Sequence, residues 1–271
     1  MNGPFQLLLF SSRPDSIPPF IAAGVAGIVV DWERSGKAER QSGADTQINH
    51  DTPEDLRRVR ASTAARVLCR INGFGPQTRG EAERAIALGA DEILLPMVRR
   101  LFEVEAVLTH VGGRCGVGIL VETDAAVRLA KDLARLPLSR VYVGLNDLAI
   151  DRGSPNIFTA VLDGTVERVR EPFRVPFGFG GLTLPWGGYP IPSRLLIAEM
   201  ARLDCQFGVL RRSFLRDIRG REPVGEVSSL LEALENARAR PSETVIRDRR
   251  ELEDSIRALS GTEREEAAAG S

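Results

Sequence analysis

The sequence is poor in the groups that most directly announce a chemistry. It has only three cysteines and two histidines. Cys69, Cys115 and Cys205 are far apart and lack metal-ligand spacing. Each falls in a stretch read as a buried strand, so structural thiols in a reducing cytoplasm are expected, not a disulfide framework or a zinc site. No apolar run approaches the roughly 20 residues that a membrane-spanning helix needs. The N-terminal MNGPFQLLLFSSRP has no basic region before its short apolar run, so no secretory signal is expected. The net charge is −1, and the arginines, which greatly outnumber the lysines, are spread over helices. Nothing therefore favours nucleic acid or an anionic membrane as partner. No G-x-G-x-x-G follows the first strand, where a dinucleotide-binding sheet would carry it.

What the sequence does contain is a strand–helix alternation that runs its whole length. Strands are read at Gln6–Phe10, Gly27–Val30, Arg66–Ile71, Glu92–Leu95, Gly116–Val121, Val141–Val143, Val175–Phe179 and Gln206–Leu210. Helical spacing or caps follow each one, as at Asp51-Thr52-Pro53, at Ala126, Leu129, Ala130 and Leu133, and over Phe158–Val169. Eight such units in 271 residues point to the α/β class and to a (β/α)₈ TIM barrel, with an open doubly wound sheet as the alternative. Residues 1–260 read as a single barrel domain with extra C-terminal helices, Gly225–Ala239 and Glu243–Leu259. The last of these has an apolar stripe (Val245, Leu252, Ile256, Leu259) that packs either on a neighbouring subunit or over the barrel floor. The tail 261–271 is expected to be disordered.

In a barrel the carboxyl ends of the strands form the face on which active sites are built. The polar residues at those ends are Asp31 and Glu33, Arg70 and Asn72, Glu122, and Asn146 and Asp147, and the seventh strand opens into a glycine-rich loop at Gly180. Glu122 and Asp147 leave neighbouring strands and should converge, which suits an oxygen-liganded cation such as Mg²⁺ or Mn²⁺. Without a cation, four carboxylates around one guanidinium would repel one another. Arg70 would supply fixed positive charge for an anionic substrate, with Asn72 as a further substrate-binding residue. Backbone N–H groups near Gly144 or Gly181 could stabilise an oxyanion. Such a set suits enolate chemistry on a 2-oxo acid. Blander roles stand beside these. Glu122 and Asp147 could cap helices, Arg70 could make a structural salt bridge, and Asp31 and Glu33 could pair with Lys37 or Arg40. Trp186, in its glycine-rich loop, fits a subunit contact slightly better than a cover over substrate. Arg211 and Arg212 read as surface charge before they read as a phosphate or CoA site.

Cys69-Arg70-Ile71-Asn72, Leu94-Leu95-Pro96-Met97-Val98, Ile119-Leu120-Val121-Glu122-Thr123 and Val143-Gly144-Leu145-Asn146-Asp147-Leu148-Ala149 together resemble the HpcH/HpaI aldolase and citrate lyase β-subunit superfamily. Asp31-Trp32-Glu33 with Lys37 and Arg40 looks like a weakened D-x-E…K…R segment of the citrate lyase branch. The resemblance covers Ile28 to Leu210. It implies a phosphoenolpyruvate/pyruvate-binding-type barrel, with Mg²⁺ or another divalent ion on Glu122 and Asp147 and the substrate carboxylate or enolate gripped by Arg70. It also implies cleavage or formation of C–C bonds in 2-oxo acids or acyl-CoA thioesters, sometimes thioester hydrolysis, and a homotrimer or homohexamer.

The strand-2 segment departs from both branches of that family. Arg34 stands where the citrate lyase branch has another acid and the aldolase branch a histidine. With Asp31, Glu33 and Arg70 expected to be catalytic, the general base is left unassigned. His50 is the candidate on the same loop, and His110, late in a helix, is expected to be structural. The reading is thus a metal-dependent C–C lyase or aldolase. Its rivals are a non-catalytic barrel serving as a binding scaffold and an acyl-CoA thioesterase on the same metal site.

Overall fold

The protein is described here by a computed structural model covering residues 3–34 and 51–269, with backbone alone for 212, 213 and 260–269. Lys37, Arg40 and His50 lie outside the described residues, as does the Arg212 side chain.

The chain runs β1 (Gln6–Phe10), a 3₁₀ turn, α1 (Ile17–Ala22), β2 (Val25–Asp31), α2 (Pro53–Ser62), β3 (Arg66–Arg70), α3 (Thr78–Ala87), β4 (Glu92–Leu95), α4 (Leu101–Val111) and β5 (Gly116–Val121). It continues through α5 (Asp124–Arg128), α6 (Ala130–Leu133), β6 (Arg140–Val143), α7 (Leu145–Asp151), α8 (Thr159–Leu162), α9 (Thr165–Arg170), β7 (Phe177–Phe179) and β8 (Gly181–Leu182). The last elements are α10 (Ser193–Arg202), β9 (Phe207–Leu210), α11 (Arg212–Asp217), α12 (Pro223–Arg238) and α13 (Ser242–Ala269). The start of α2 follows the sequence: Thr52 is the N-cap in a reciprocal box with Asp55, and Pro53 opens the helix.

All strand pairs are parallel, in the order β7-β6-β5-β4-β3-β2-β1-β9-β8. β7 and β8 are two halves of one seventh stave. Gly180, with φ of 57°, interrupts it, so that β7 pairs with β6 and β8 with β9. The Gln206 N–H donates to the Phe177 carbonyl at 3.0 Å and closes the cylinder. The expected eight-stave barrel therefore forms, but its seventh stave reaches beyond Phe179 and is broken at a left-handed glycine.

Strand alternation divides the apolar residues between two cores. Leu8, Val29, Leu68, Leu94, Leu120 and Phe207 point into the barrel, and the intervening residues pack beneath the helices. An ion pair lies deep inside. Arg140 Nε donates to Glu92 Oε1 at 2.7 Å, with Ser139 Oγ on the same oxygen at 2.6 Å, and the guanidinium stacks 4.8 Å from the Phe207 ring centroid. Gly118 makes room for it: a Cβ there would stand 2.7 Å from Arg140 Cγ.

Several expectations are corrected. The helix expected over Phe158–Val169 is two, α8 and α9, parted at Gly164, which has φ of 74°. The last helix does not cover the barrel floor. It packs on the barrel's own outer layer, with Leu252 and Ile256 fully buried, Arg249 paired to Glu199 at 2.6 Å, and the same arginine donating to the Val161 carbonyl. Its backbone stays helical to Ala269, where a tail disordered from Gly261 onward was expected. The good helix formers Glu263 to Ala269 offset the roughly 1 kcal/mol cost of a helical glycine. Cys69 and Cys205 are buried and Cys115 is half-buried, all as free thiols, the last two just ahead of their strands. Among the described residues no helix is long and apolar enough to cross a membrane.

Removing one partner of a buried pair strands a charge, at a cost of about 3–5 kcal/mol. Arg140→Met should therefore lower the unfolding free energy in urea by that order, and Glu92→Met/Arg140→Met should recover most of it. A single substitution costing less than about 1 kcal/mol would contradict the buried pair.

Candidate active site

A cavity of about 540 Å³ opens at the carboxyl end of the barrel and reaches down to Arg140. The sheet register builds its wall. Asp31 on β2 stands directly opposite Arg70 on β3, and the two side chains meet as a bidentate pair, Nε to Oδ1 at 2.9 Å and Nη2 to Oδ2 at 2.7 Å. Arg70 Nη1 also lies 3.2 Å from Glu33 Oε2, and its guanidinium stacks 5.1 Å from the Phe10 ring centroid. Burial opposes the charge on Arg70, but Asp31 and Glu33 outweigh it and hold the guanidinium protonated. Arg70 is thus a fixed cation in the cavity wall.

Glu122 follows β5 and is buried against this cation. The N–H of Met97 donates to its Oε2 at 3.1 Å, from a backbone in the left-handed region with φ of 54°, an uncommon conformation for such a side chain. Asp147, in the first turn of α7, is also buried. Both acids line the cavity. Burial first, then the negative charge of Glu33 and Asp147, pushes Glu122 up to about 8, against the pull of Arg70 and the Met97 N–H. Neither acid is the exposed helix cap that its position alone would allow: Thr123 fills that role for α5.

The structure thus brings Arg70, Glu122, Asn146 and Asp147 to one cavity and assigns other expected residues differently. Asp31 and Glu33 are almost fully buried and do not line the cavity. Their bonds to Arg70 make them positioning residues, correcting the catalytic role expected of them. Asn72 is also corrected. Its amide donates to Glu81 Oε1 at 2.6 Å and accepts the Arg34 N–H at 2.8 Å, so it ties β3 to α3 instead of meeting substrate. Gly144 and Gly181 line the cavity as expected, but space, not the oxyanion role, is what the structure shows them providing. The Gly144 N–H is already given to the Val121 carbonyl, and a Cβ there would stand 2.6 Å from Glu122 Oε1. A Cβ on Gly181 would stand 2.8 Å from Arg211 Cβ. His110 sits on the outer helix α4, 2.8 Å from Glu83, and no histidine among the described residues lines the cavity. Trp186 is 63% exposed beneath Arg221 and away from the cavity.

Sequence reading missed Tyr142, whose hydroxyl donates to the Gly180 carbonyl across the broken stave. It also placed Arg211 on the surface, whereas Arg211 is half-buried and lines the cavity. The missed signal is alternation: Phe207, Val209 and Arg211 form one inward row, as Leu68 and Arg70 do.

The donors fit a hard divalent cation. Glu122 and Asp147 offer carboxylate oxygens whose mutual repulsion an ion would relieve. Among the described residues no group of three or more His, Cys, Asp or Glu forms a complete cage. An ion here would take only two protein ligands and fill its shell with water and substrate, the pattern Mg²⁺ adopts.

The shift on Glu122 has a stability consequence. In the unfolded chain its carboxyl returns to the ordinary value of 4.5, while the folded protein holds it near 8. The folded state therefore keeps a proton that the unfolded chain releases. The associated stability is complete below the lower value and is lost as pH rises through the upper one. In EDTA, urea unfolding from about pH 5 to about pH 8 should show the wild type weakening more than Glu122→Gln. Equal slopes would contradict the shift.

Neither the models of known protein families nor the curated proteins give a match to this chain. Among solved structures the fold is similar to that of citrate synthase SbnG, with a TM-score of 0.57 and 17% identity over 86% of this chain and 94% of that one. At 17% identity the likeness shows the fold: a parallel α/β barrel with surrounding helices.

Proposed function

We propose that the cavity is the active site of a divalent-metal-dependent C–C lyase or aldolase, acting through the enolate of a 2-oxo acid or an acyl-CoA thioester. The observation that carries this reading is the burial of Glu122 and Asp147 in one cavity wall together with Arg70. A buried acid whose proton affinity a second acid raises is costly unless the two hold a cation.

In the cleavage direction a 4-hydroxy-2-oxo acid loses its hydroxyl proton to a water molecule, which can return it to the enolate. The C3–C4 bond breaks, its electron pair moves into the C2–C3 bond, and C4 departs as an aldehyde carbonyl. The resulting enolate takes a proton at C3. Arg70, held in place by Asp31 and Glu33, stabilises the negative charge that grows on the C2 oxygen. Glu122 and Asp147 would hold Mg²⁺ or Mn²⁺, and such an ion, when bound, supplies Lewis-acid polarisation of the carbonyl. The apolar wall formed by Leu94, Leu120 and Phe207 keeps bulk water from the carbanion. A homo-oligomer, trimer or hexamer, belongs to the same reading, with exposed Trp186 as a contact residue.

Calorimetric titration with Mn²⁺ tests the site. Binding should weaken by at least about tenfold, about 1.4 kcal/mol, in Glu122→Gln and in Asp147→Asn, with the folded state retained. Incubation of the Mg²⁺-loaded protein with 4-hydroxy-2-oxo acids, oxaloacetate or malyl-CoA should release pyruvate or glyoxylate. Release of free CoA without glyoxylate would identify a thioesterase. Absence of metal binding, with no effect of either substitution, would identify a scaffold.

A further inference from the structure

Four arginines line the cavity: Arg70, Arg140, Arg211 and Arg216. Three of them have a carboxylate oxygen within 3.6 Å. Arg70 is clasped by Asp31 and Glu33, Arg140 is bonded to Glu92, and Arg216 lies 3.6 Å from Asp217. Arg211 differs. Its Nε is buried and donates to no group among the described residues. Asp217, the acid whose charge acts on Arg211, accepts a bond from Thr183 at 2.7 Å and sits beside Arg216.

The fold spends structure on putting Arg211 there. Its backbone N–H is anchored on the Leu182 carbonyl at 2.8 Å. The stem runs past Gly181, where a Cβ would stand 2.8 Å from Arg211 Cβ. Burial weakens the hold of Arg211 on its charge, so a guanidinium without a carboxylate partner is costly here, and an anion would offset that cost. In the strand order, two staves separate β9 from β3 on one side, and two separate it from β5 on the other. Arg211 therefore faces Arg70 and Glu122 from the opposite side of the mouth. A cavity of about 540 Å³ is far larger than a three-carbon acid requires.

We propose that Arg211 is a specificity-determining residue that binds a second anionic group of the substrate, a carboxylate or a phosphate, across the cavity from Arg70 and Glu122. The reacting end of that substrate is placed by the enolate reading above. The second anion is placed by Arg211 alone. The substrate class is then a 2-oxo acid or thioester carrying at least two negative groups. Arg offers a planar fork to a carboxylate or phosphate, which a lysine cannot reproduce.

Calorimetry on the full chain with Mg²⁺ tests this, using pyruvate, oxaloacetate and free CoA as probes. The wild type should prefer oxaloacetate or CoA over pyruvate by at least about tenfold, as expected for a hydrogen-bonded charge. A preference for oxaloacetate identifies the second group as a carboxylate, and a preference for CoA identifies it as a phosphate. Arg211→Met should reduce the preference to within about threefold, and Arg211→Lys should restore part of it. Gly181→Ala keeps the charge but pushes the stem aside, and should behave like Arg211→Met. Thermal unfolding checks that each variant is folded, and if Arg211→Met is not, the lysine and alanine variants carry the test. No preference in the wild type, or a preference that survives in all three variants, overturns the proposal. Arg211-dependent binding of oxaloacetate without any binding of pyruvate would sink the enolate reading and leave this one standing. Failure of all three probes to bind would overturn both.

Discussion

The site rests on one buried interaction, the bidentate pair between Asp31 and Arg70. It joins directly opposed positions on adjacent parallel strands, so the barrel register itself makes the contact. A guanidinium in this position without carboxylates would bear an uncompensated desolvation cost. With Asp31 on two of its nitrogens and Glu33 near a third, it becomes a rigid charge that need not reorganise during a reaction. That fixed charge then acts on Glu122, where it opposes both burial and the acids nearby. The second support comes from Met97, whose left-handed backbone points an N–H at the Glu122 carboxylate. Backbone strain of this kind persists where the surrounding structure over-determines it, often at functional sites.

Much of the architecture was legible in the chain because its signals are local. The eight apolar runs, the Thr52-Pro53 helix start and the absence of a dinucleotide fingerprint all bear on the barrel without reference to distant contacts. The grouping of Arg70, Glu122 and Asp147 was legible because strand ends in a barrel share one face. What was not legible depends on pairing. Asp31 looked like a reacting acid because its partner, 39 residues away, is visible only once β2 and β3 are in register. Asn72 looked like a substrate ligand for the same reason, since Glu81 takes its amide only when α3 packs back on β3.

Two glycines show a different limit. Gly144 and Gly181 sit at the cavity as the strand ends suggested, but each serves by lacking a side chain. One leaves space for Glu122 and the other for Arg211. A backbone role and a steric role look alike in sequence, and only coordinates separate them. Arg211 was within reach of sequence reasoning: carrying the alternation of β9 one step past Leu210 aims it inward. The adjoining Arg212 made the pair resemble ordinary surface charge.

Taken together, the mouth has a neutralised arginine and Glu122 on one side, and on the other an arginine with no bonded acid partner among the described residues. This polarity suits a substrate that brings its own negative groups to a bound cation. The most direct test is crystallography of the protein grown with Mn²⁺, using the anomalous signal of the metal. The account predicts a peak between Glu122 and Asp147, with one oxygen of each about 2.1–2.3 Å from the ion. A fully occupied Mn²⁺ bound elsewhere, or two carboxylates that stay metal-free at saturating Mn²⁺, would contradict it.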